Sequence, residues 1–225
     1  MFPNFSQRSH QLERLDTGDY TPAEYRRWQR EMYFIHRIFG ESHALRRTLF
    51  RDLERTDGPV SILDVGAGSG ELLRQLRKWA NGRETFLAGV EINREATLSI
   101  RSAGVSAVQC NAMQLPFEDK SFDFVFCSLF LHHLNDEAAT GLLREMSRVA
   151  KRRVYAIDLN RQPAAYHIYK AIGRLLLQRF TLEDGALSIL RSFTPDELSD
   201  LAEASGLRDV KVEHSRVNRL ILSGR

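Results

Sequence analysis

Three glycines at alternating positions follow an acidic residue in the segment Asp64-Val-Gly-Ala-Gly-Ser-Gly70. Four branched apolar residues precede them, and leucines recur at helical spacing after them. This pattern predicts a buried strand, a tight turn and a helix that packs back on the sheet. Because glycine has no Cβ, the backbone can turn sharply there and a ligand can come against it. In an open α/β sheet such a turn lies at the carboxyl ends of the strands, where ligands bind.

The spacing of the glycines distinguishes two kinds of nucleotide site. A dinucleotide turn reads G-x-G-x-x-G and holds a pyrophosphate on a helix N-terminus. Here the run is D-x-G-x-G-x-G, and the acid at the strand end would repel a diphosphate. The segment resembles motif I of the class I S-adenosylmethionine (SAM)-dependent methyltransferases, whose ligand carries an ammonium and a sulfonium group. The resemblance implies that SAM contacts Asp64, Gly66, Ala67, Gly68 and Gly70.

The second predicted strand, from Thr85 to Glu91, also ends in an acid. Glu91 follows the glycine turn by about the 20 residues at which such folds place a carboxylate on a ribose. A carboxylate can accept hydrogen bonds from both ribose hydroxyls. Ile92 offers an apolar face for the adenine, and Asn93 is predicted to cap the helix that follows.

A short third strand, Val105 to Cys110, leads into Asn111-Ala-Met-Gln-Leu-Pro-Phe117. This resembles the methyltransferase segment D-A-x-x-L-P-F, with an asparagine where aspartate is commoner. The resemblance implies that Asn111 accepts from the adenine N6 amine, that the Ala112 N–H donates to N1, and that Met113 lies against the ring. An amide oxygen supplies the acceptor that a carboxylate would.

The apolar run from Phe124 to Phe126 predicts a fourth buried strand directly beside the first, ending at Cys127 and Ser128. The segment resembles motif IV of the small-molecule enzymes, where this strand end meets the methionine part of SAM and the acceptor. It matches neither the D-P-P-Y segment of DNA adenine enzymes nor the Pro-Cys nucleophile of cytosine enzymes. This argues against methylation of nucleic-acid bases.

Two histidines follow this strand within one turn. Either His132 or His133 could act as a general base with a pKa near working pH; the alternative is a hydrogen bond at the start of the next helix. Asp158 and Asn160 follow a fifth strand, Val154 to Ile157, and are expected at the pocket rim. We take His132, His133 and Asp158 as the candidate catalytic residues.

Two helices are predicted ahead of the glycine turn. The first begins at the capping box Thr21-Pro-Ala-Glu24, runs to about Gly40 and carries an apolar stripe; the second, from about Ser42, carries Leu45, Leu49 and Leu53. They resemble the cap that many small-molecule methyltransferases lay over their pocket. Side chains of the first helix could face a substrate or could only pack and solvate the cap: Tyr33, Phe34, His36 and Arg37.

The C-terminal third contains three further helical segments and two strands. An amphipathic helix from Glu137 to Ala150 ends at Lys151-Arg-Arg153, whose charges suit the negative pole of a helix. A helix from Tyr166 to Phe180 is expected to form a wall of the pocket. The stretch Asp184 to Leu198 resembles bacterial methyltransferases encoded beside type III polyketide synthases, which lie near the ubiquinone/menaquinone C-methyltransferases. A second capping box, Thr194 to Glu197, starts a helix that runs to about Ser205. The strands Val210 to Glu213 and Val217 to Leu222 follow and are expected to pair antiparallel.

Composition sets the outer limits of the interpretation. The 225 residues fit one α/β domain, and the net charge of +3 demands no polyanionic partner. The two cysteines, Cys110 and Cys127, lack a C-x-x-C or histidine-paired spacing, so we expect no metal and a reducing compartment. No leader-like apolar region or membrane-spanning run is visible, which favours a cytoplasmic protein without a membrane or nucleic-acid partner.

These observations predict a doubly wound, Rossmann-like sheet of seven strands, five parallel and then an antiparallel pair. Residues 1–57 are expected to form an N-terminal helical cap and residues 58–225 the SAM-binding domain. The predicted activity is methyl transfer from SAM, with S-adenosylhomocysteine as product, to an oxygen or carbon of a small phenolic or polyketide-like acceptor. Two alternatives are an NAD(P)-dependent oxidoreductase and a non-catalytic SAM-binding protein. The sequence predicts no oligomeric state.

Overall fold

The chain folds around one mixed sheet of seven strands. The structure is a computed structural model that describes residues 3–39, 41–80 and 82–225, without the side chains of residues 36–39. Along the sheet the strands lie in the order β3-β2-β1-β4-β5-β7-β6. Their bounds are β1 Val60–Val65, β2 Thr85–Glu91, β3 Ser106–Gln109, β4 Phe122–Ser128, β5 Ala150–Leu159, β6 Lys211–Ser215 and β7 Arg219–Gly224.

Strands β1 to β5 are parallel, whereas β7 pairs antiparallel with both β5 and β6. The predicted fold class is therefore confirmed. Strands β1 and β4 are neighbours in the middle of the sheet and are buried along most of their length. Helices cover both of their faces, which is why these strands read as nearly continuous apolar runs.

Helices form one layer on each side of the sheet. Helices α5 (Glu71–Trp79) and α6 (Arg94–Ser102) bury Leu73, Leu76 and Ile100 in the core on one face. Helices α7 (Asp136–Val149) and α10 (Pro195–Ala204) bury their apolar stripes in the core on the other. The capping box predicted for α10 is present, with Thr194 Oγ1 accepting from Glu197 N.

The N-terminal segment contains a short helix, α1 (Arg14–Thr17), and a long one, α2 (Pro22–Phe39). The predicted capping box opens α2: Thr21 Oγ1 accepts from Glu24 N at 3.2 Å, and Glu24 Oε2 accepts from Thr21 N at 2.8 Å. Tyr33 and Phe34 are exposed. The side chains of His36 and Arg37, and Gly40 where the helix was expected to end, lie outside the described residues.

Residues 41–54 form one helical segment made of α3 (Glu41–Leu45), a π-helical turn (Arg46–Phe50) and α4 (Arg51–Glu54). The three leucines expected on this helix are buried in the same core as Ile62 and Phe124 of the sheet. This part of the predicted cap thus lies within the core on one sheet face. The boundary at residue 57 stays a prediction.

Two predicted boundaries on the C-terminal side are wrong. Strand β5 begins at Ala150, four residues before the predicted Val154, so Lys151–Arg153 belong to the strand. Two of the three charges form ion pairs with acids on neighbouring elements, which the predicted role at the helix end did not include: Arg152 Nε lies 3.1 Å from Asp123 Oδ1 of β4, and Arg153 Nε lies 3.5 Å from Asp52 Oδ2 of α4. These pairs let a basic run continue the strand.

The helix predicted from Tyr166 to Phe180 is divided into α8 (Pro163–Leu176) and α9 (Arg179–Arg191). The break coincides with an anchor to α2, because the Gln178 side-chain amide donates to Glu24 O at 2.8 Å. The apolar side chains of α8 that were expected to line a pocket are exposed, namely Ile168, Ile172, Leu175 and Leu176. Among the described residues, no helix is both long and apolar enough to cross a membrane.

Candidate functional site

The glycine turn connects the carboxyl end of β1 to α5 and has a left-handed backbone at all three glycines. Their φ angles are +72° at Gly66, +51° at Gly68 and +76° at Gly70, a region that other residues rarely adopt. A Cβ at Gly66 would lie 3.0 Å from the Phe130 ring, whereas a Cβ at Gly68 would meet no atom within 4 Å. The turn therefore presents its backbone at Gly68 to open space, where a ligand can approach.

Asp64 lies at the end of β1 and is only 2% exposed. Its carboxylate takes part in no hydrogen bond among the described residues, and burial together with the nearby charge of Glu91 raises its pKa well above the usual range. A buried carboxylate without a partner is unfavourable unless a cation or donor compensates it. The position is thus suited to a cationic ligand group.

Glu91 closes β2 on the other side of the turn. Its Oε1 accepts from Ile92 N at 2.9 Å and from Asn93 N at 3.1 Å, while its Oε2 accepts from Gly68 N at 2.9 Å. A carboxylate offers about four acceptor positions, so one remains, on Oε2. Glu91 fixes the glycine turn and can receive one further donor without releasing a backbone contact.

The residues expected to meet an adenine follow β3 at the same edge of the sheet. Cys110 N donates to Glu91 O at 3.2 Å, which brings the segment beside Glu91. Asn111 Oδ1 accepts from Met113 N at 3.0 Å and Ala112 is buried. Ile92, which is 67% exposed, has an open apolar face. Four of the predicted cofactor contacts therefore share one edge, although the Asn111 oxygen already has one donor.

The end of β4 supplies Cys127 and Ser128. Burial raises the Cys127 thiol pKa well above its usual range, and the charges of Asp158 and Asp64 add to this, so the sulfur stays protonated and is no nucleophile. Ser128 Oγ is buried without a hydrogen-bond partner among the described residues. Leu129 then adopts φ +51°, which is costly for a leucine, and directs the chain so that Phe130 lies against Gly66. No sequence signal pointed to Leu129 or Phe130.

His132 and Asp158 form a buried pair between the end of β4 and the end of β5. His132 Nδ1 lies 2.6 Å from Asp158 Oδ1, and His132 N donates to Asp158 Oδ2 at 3.1 Å. Burial alone would raise the Asp158 pKa, but His132 and the hydrogen bonds from His132 and Leu159 lower it below its usual range. The carboxylate therefore holds the imidazole by Nδ1 and leaves Nε2 directed elsewhere. Two residues predicted separately are brought together.

The histidines do not start the next helix. Asn135 caps α7, with its Oδ1 accepting from Ala138 N at 2.8 Å. His133 instead faces the N-terminal segment, with Nδ1 3.1 Å from Asp16 Oδ1. Asn160, expected at the rim, is buried, and its backbone pairs with Asn218.

Sequence reasoning missed three charged residues around the histidines. Glu13 is buried, with Oε1 4.0 Å from His132 Nε2 and burial raising its pKa to about 7. Asp16 binds His133 and also Arg191, whose Nη1 lies 2.5 Å from Asp16 Oδ2. Arg191 Nε and Nη2 donate to the backbone oxygens of His132 and His133. The polar N-terminal lead-in carries no local pattern that would have indicated these contacts.

Parts of this chain are similar to known methyltransferases. Residues 63–163 match the family model described as a methyltransferase domain. A demethylmenaquinone methyltransferase from Shouchella clausii is 27% identical over 174 residues, which cover 68% of this chain and 73% of that protein. A ubiquinone/menaquinone biosynthesis C-methyltransferase from Xanthomonas campestris is 36% identical over 98 residues, which cover 40% of this chain and only 38% of that protein.

Among solved structures, the plantazolicin methyltransferase in complex with a pentazolic desmethyl analogue and SAH superposes with a TM-score of 0.69 at 16% identity, covering 86% of this chain and 88% of that one. At this identity the likeness establishes the shared fold. The domain match and the curated relatives make this chain an enzyme of the methyltransferase class.

Proposed function

We propose that this methyltransferase transfers a methyl group from SAM to an oxygen or carbon of a small phenolic or polyketide-like acceptor. The observation that carries the proposal is the buried His132–Asp158 pair at the ends of β4 and β5, on the sheet edge that also holds the glycine turn. SAM is the methyl donor and S-adenosylhomocysteine the product. When bound, SAM supplies a methyl group on a positively charged sulfur that is already an activated leaving group.

The residues of this edge fit SAM. Asp64 is a buried acid that lacks a cationic partner among the described residues, and the ligand carries cations and no phosphate. The free acceptor position on Glu91 Oε2 suits a ribose hydroxyl. The exposed face of Ile92 and the neighbouring Met113 suit the adenine ring, with Asn111 and Ala112 at its polar edge. Cys127 and Ser128 lie at the strand end assigned to the methionine part, where Ser128 Oγ still lacks a partner.

For an acceptor with a hydroxyl group, His132 is the residue placed to take the proton. Its Nδ1 is held by Asp158, so Nε2 is the nitrogen left to act, and the carboxylate stabilises the imidazolium that forms. His133 lies next to it with a ring-centroid separation of 4.3 Å. A larger contribution comes from alignment of acceptor, methyl group and sulfur, which can be worth about 7–11 kcal/mol.

The acceptor class is inferred from the apolar surfaces near the N-terminal and C-terminal helices. Tyr33 and Phe34 of α2 are exposed, as are four aliphatic residues of α8. Small-molecule sites are mostly apolar with a few orienting polar groups, and we assign that role to the two histidines, His132 and His133. An apolar, flat or chain-bearing acceptor suits such surfaces better than a charged one.

The test is turnover of SAM to S-adenosylhomocysteine with a panel of phenols and polyketide-like acceptors, read by mass spectrometry. We expect methylated product with wild type, a loss of at least 100-fold in kcat for His132→Ala, and no loss for the exposed control His10→Ala. Binding of labelled SAM but not labelled NAD would exclude the oxidoreductase alternative. SAM binding without turnover on any acceptor would favour the non-catalytic alternative and contradict the proposal.

A further inference from the structure

Three candidate metal ligands converge beside the His132–Asp158 pair. Glu13 of the N-terminal segment and His132 and His133 of the turn after β4 each offer one ligand atom, and these atoms all lie within 4.8 Å of one another. The side chains of Glu13 and His132 are each 4% exposed, whereas that of His133 is 26% exposed. The cluster is therefore mostly buried and open to solvent on one side.

Each of the three candidate ligands is oriented by an outer partner. Asp158 Oδ1 contacts His132 Nδ1 at 2.6 Å, and Asp16 Oδ1 contacts His133 Nδ1 at 3.1 Å. Ser188 Oγ donates to Glu13 Oε1 at 2.8 Å. Metal-binding histidines typically donate their second ring N–H to a carboxylate, which fixes the ring and its tautomer.

Three carboxyl groups lie around the two rings. Asp158 and Asp16 contact His132 and His133, and Glu13 Oε1 lies 4.0 Å from His132 Nε2. The ring centroids of the two histidines are 4.3 Å apart. A cation held between the rings and Glu13 would therefore be close to all three carboxyl groups.

The neighbouring arginines have their shorter contacts elsewhere. Arg191 Nη1 binds Asp16 Oδ2 at 2.5 Å and forms only a longer ion pair with Glu13 Oε1, at 3.9 Å, while its other nitrogens bind backbone oxygens. Arg8 is paired with Asp136 at 2.5 Å. Neither guanidinium group is within hydrogen-bond distance of the Glu13 carboxylate.

We propose that Glu13, His132 and His133 bind a divalent transition-metal ion of the zinc type. Two imidazoles and one carboxylate form a ligand set that such ions accept, and it leaves coordination positions open for water or an acceptor oxygen. With the ion bound, His132 would be a ligand and would no longer act as the base. The ion would then supply the activation by lowering the pKa of an acceptor hydroxyl bound to it, whose proton would leave to solvent before methyl transfer. This last step rests on the proposed function and selects an oxygen acceptor over carbon.

The site is tested without acceptor or SAM, so that its result is independent of the proposed function. Protein stripped with a chelator is titrated with ZnCl₂ in a calorimeter and with CoCl₂ by visible absorption. We expect one ion per chain for wild type, a loss of affinity of at least 100-fold for Glu13→Gln and His133→Asn, and a loss of about 10- to 100-fold for the outer-shell variant Asp16→Asn. The exposed control His10→Ala should bind as wild type does.

Circular dichroism and retained SAM binding identify the folded variants, and His133→Asn serves where Glu13→Gln fails to fold. No saturable binding to wild type at pH 7.5 would overturn the proposal. Equal affinity of the wild type and both ligand variants would overturn it as well, because the ion would then bind elsewhere. Histidine NMR signals of His132 and His133 that do not change on addition of zinc would show that the two rings do not bind the ion, which would also overturn the proposal.

Discussion

Removal of the Glu91 carboxylate tests most directly whether SAM binds at the sheet edge that holds the glycine turn. The variants are Glu91→Ala and Glu91→Gln, with Glu95→Ala, an exposed acid on the following helix, as the matched control. The measurement is the dissociation constant of SAM by isothermal titration calorimetry, together with thermal unfolding of each variant without ligand.

The expected magnitude follows from the hydrogen bonds already made by Glu91. Three backbone N–H groups occupy its two oxygens, and one acceptor position on Oε2 is left. One ribose hydroxyl can therefore bind without displacing Gly68 N, and a hydrogen bond to a charged acceptor contributes about 1.5–3 kcal/mol. Glu91→Ala should weaken SAM binding by about 10- to 150-fold.

Glutamine at this position should not rescue binding. One carboxylate oxygen becomes an NH₂ group, and if the amide oxygen keeps Ile92 N and Asn93 N, a donor faces Gly68 N. The turn then loses its anchor, so Glu91→Gln should bind SAM no better than Glu91→Ala. An unchanged dissociation constant for both variants, or an equal loss in Glu95→Ala, would refute the assignment of Glu91 to the ribose.

Three further tests address the turn and two acids. Gly70→Ala should destabilise the protein by about 1–3 kcal/mol more than Gly68→Ala. Both glycines have a left-handed backbone, but only a Cβ at position 70 would meet Ile100, at 2.9 Å. Gly68→Ala should instead lose more SAM affinity, because its Cβ would enter the space left for the ligand. Asp123→Asn should cost about 1–3 kcal/mol at pH 7 by urea unfolding, because Ser61 and Arg152 hold its pKa below the usual 3.8 despite burial. Asp64→Asn should stabilise the ligand-free protein at pH 7 yet weaken SAM binding.

The pH dependence distinguishes the two acids. A lowered folded-state pKa, as at Asp123, gives stability that is present above 3.8 and is lost as the pH falls through the folded value. A raised folded-state pKa, as at Asp64, lowers the free energy of unfolding as the pH rises above 3.8. The higher stability expected for Asp64→Asn at pH 7 should therefore vanish in acid. An Asp123→Asn deficit that persists in acid, or an Asp64→Asn protein that is less stable at pH 7, would contradict this reasoning. Equal melting points for the two glycine variants would contradict the packing argument.

The sheet was predictable because its strands are defined by local patterns. Apolar runs ending in Asp64, Glu91 and Ser128 fix three parallel strands, and the glycine turn fixes the edge at which they meet. The start of β5 was predicted wrongly because strand pairing there outweighs the local sequence pattern. Lys151–Arg153 belong to β5, where Arg152 and Arg153 pair with acids on neighbouring elements, and no local pattern contains those partners.

Only those residues of the candidate site that follow a predicted strand could be identified from the sequence. His132 follows the fourth predicted strand within a few residues and Asp158 follows the fifth directly, so their convergence follows from the topology of parallel strands. Glu13 and Arg191 reach the same histidines from segments far away in the chain, and their contacts depend on how the N-terminal segment and α9 pack. A polar lead-in and a helix with mixed charge give no indication of such convergence.

The two buried acids of this sheet edge, Asp64 and Asp158, have different roles: one is suited to bind the cofactor and the other to position a histidine. Asp158 receives donors from His132 and Leu159 within the protein, so its charge is stabilised and its pKa lowered despite complete burial. Asp64 receives none among the described residues, and burial and Glu91 raise its pKa. Only Asp64 therefore gains from a cation brought from outside, which is the property expected of a residue that binds a positively charged cofactor. Asp158 is satisfied already, which is the property expected of a residue that holds a histidine in place.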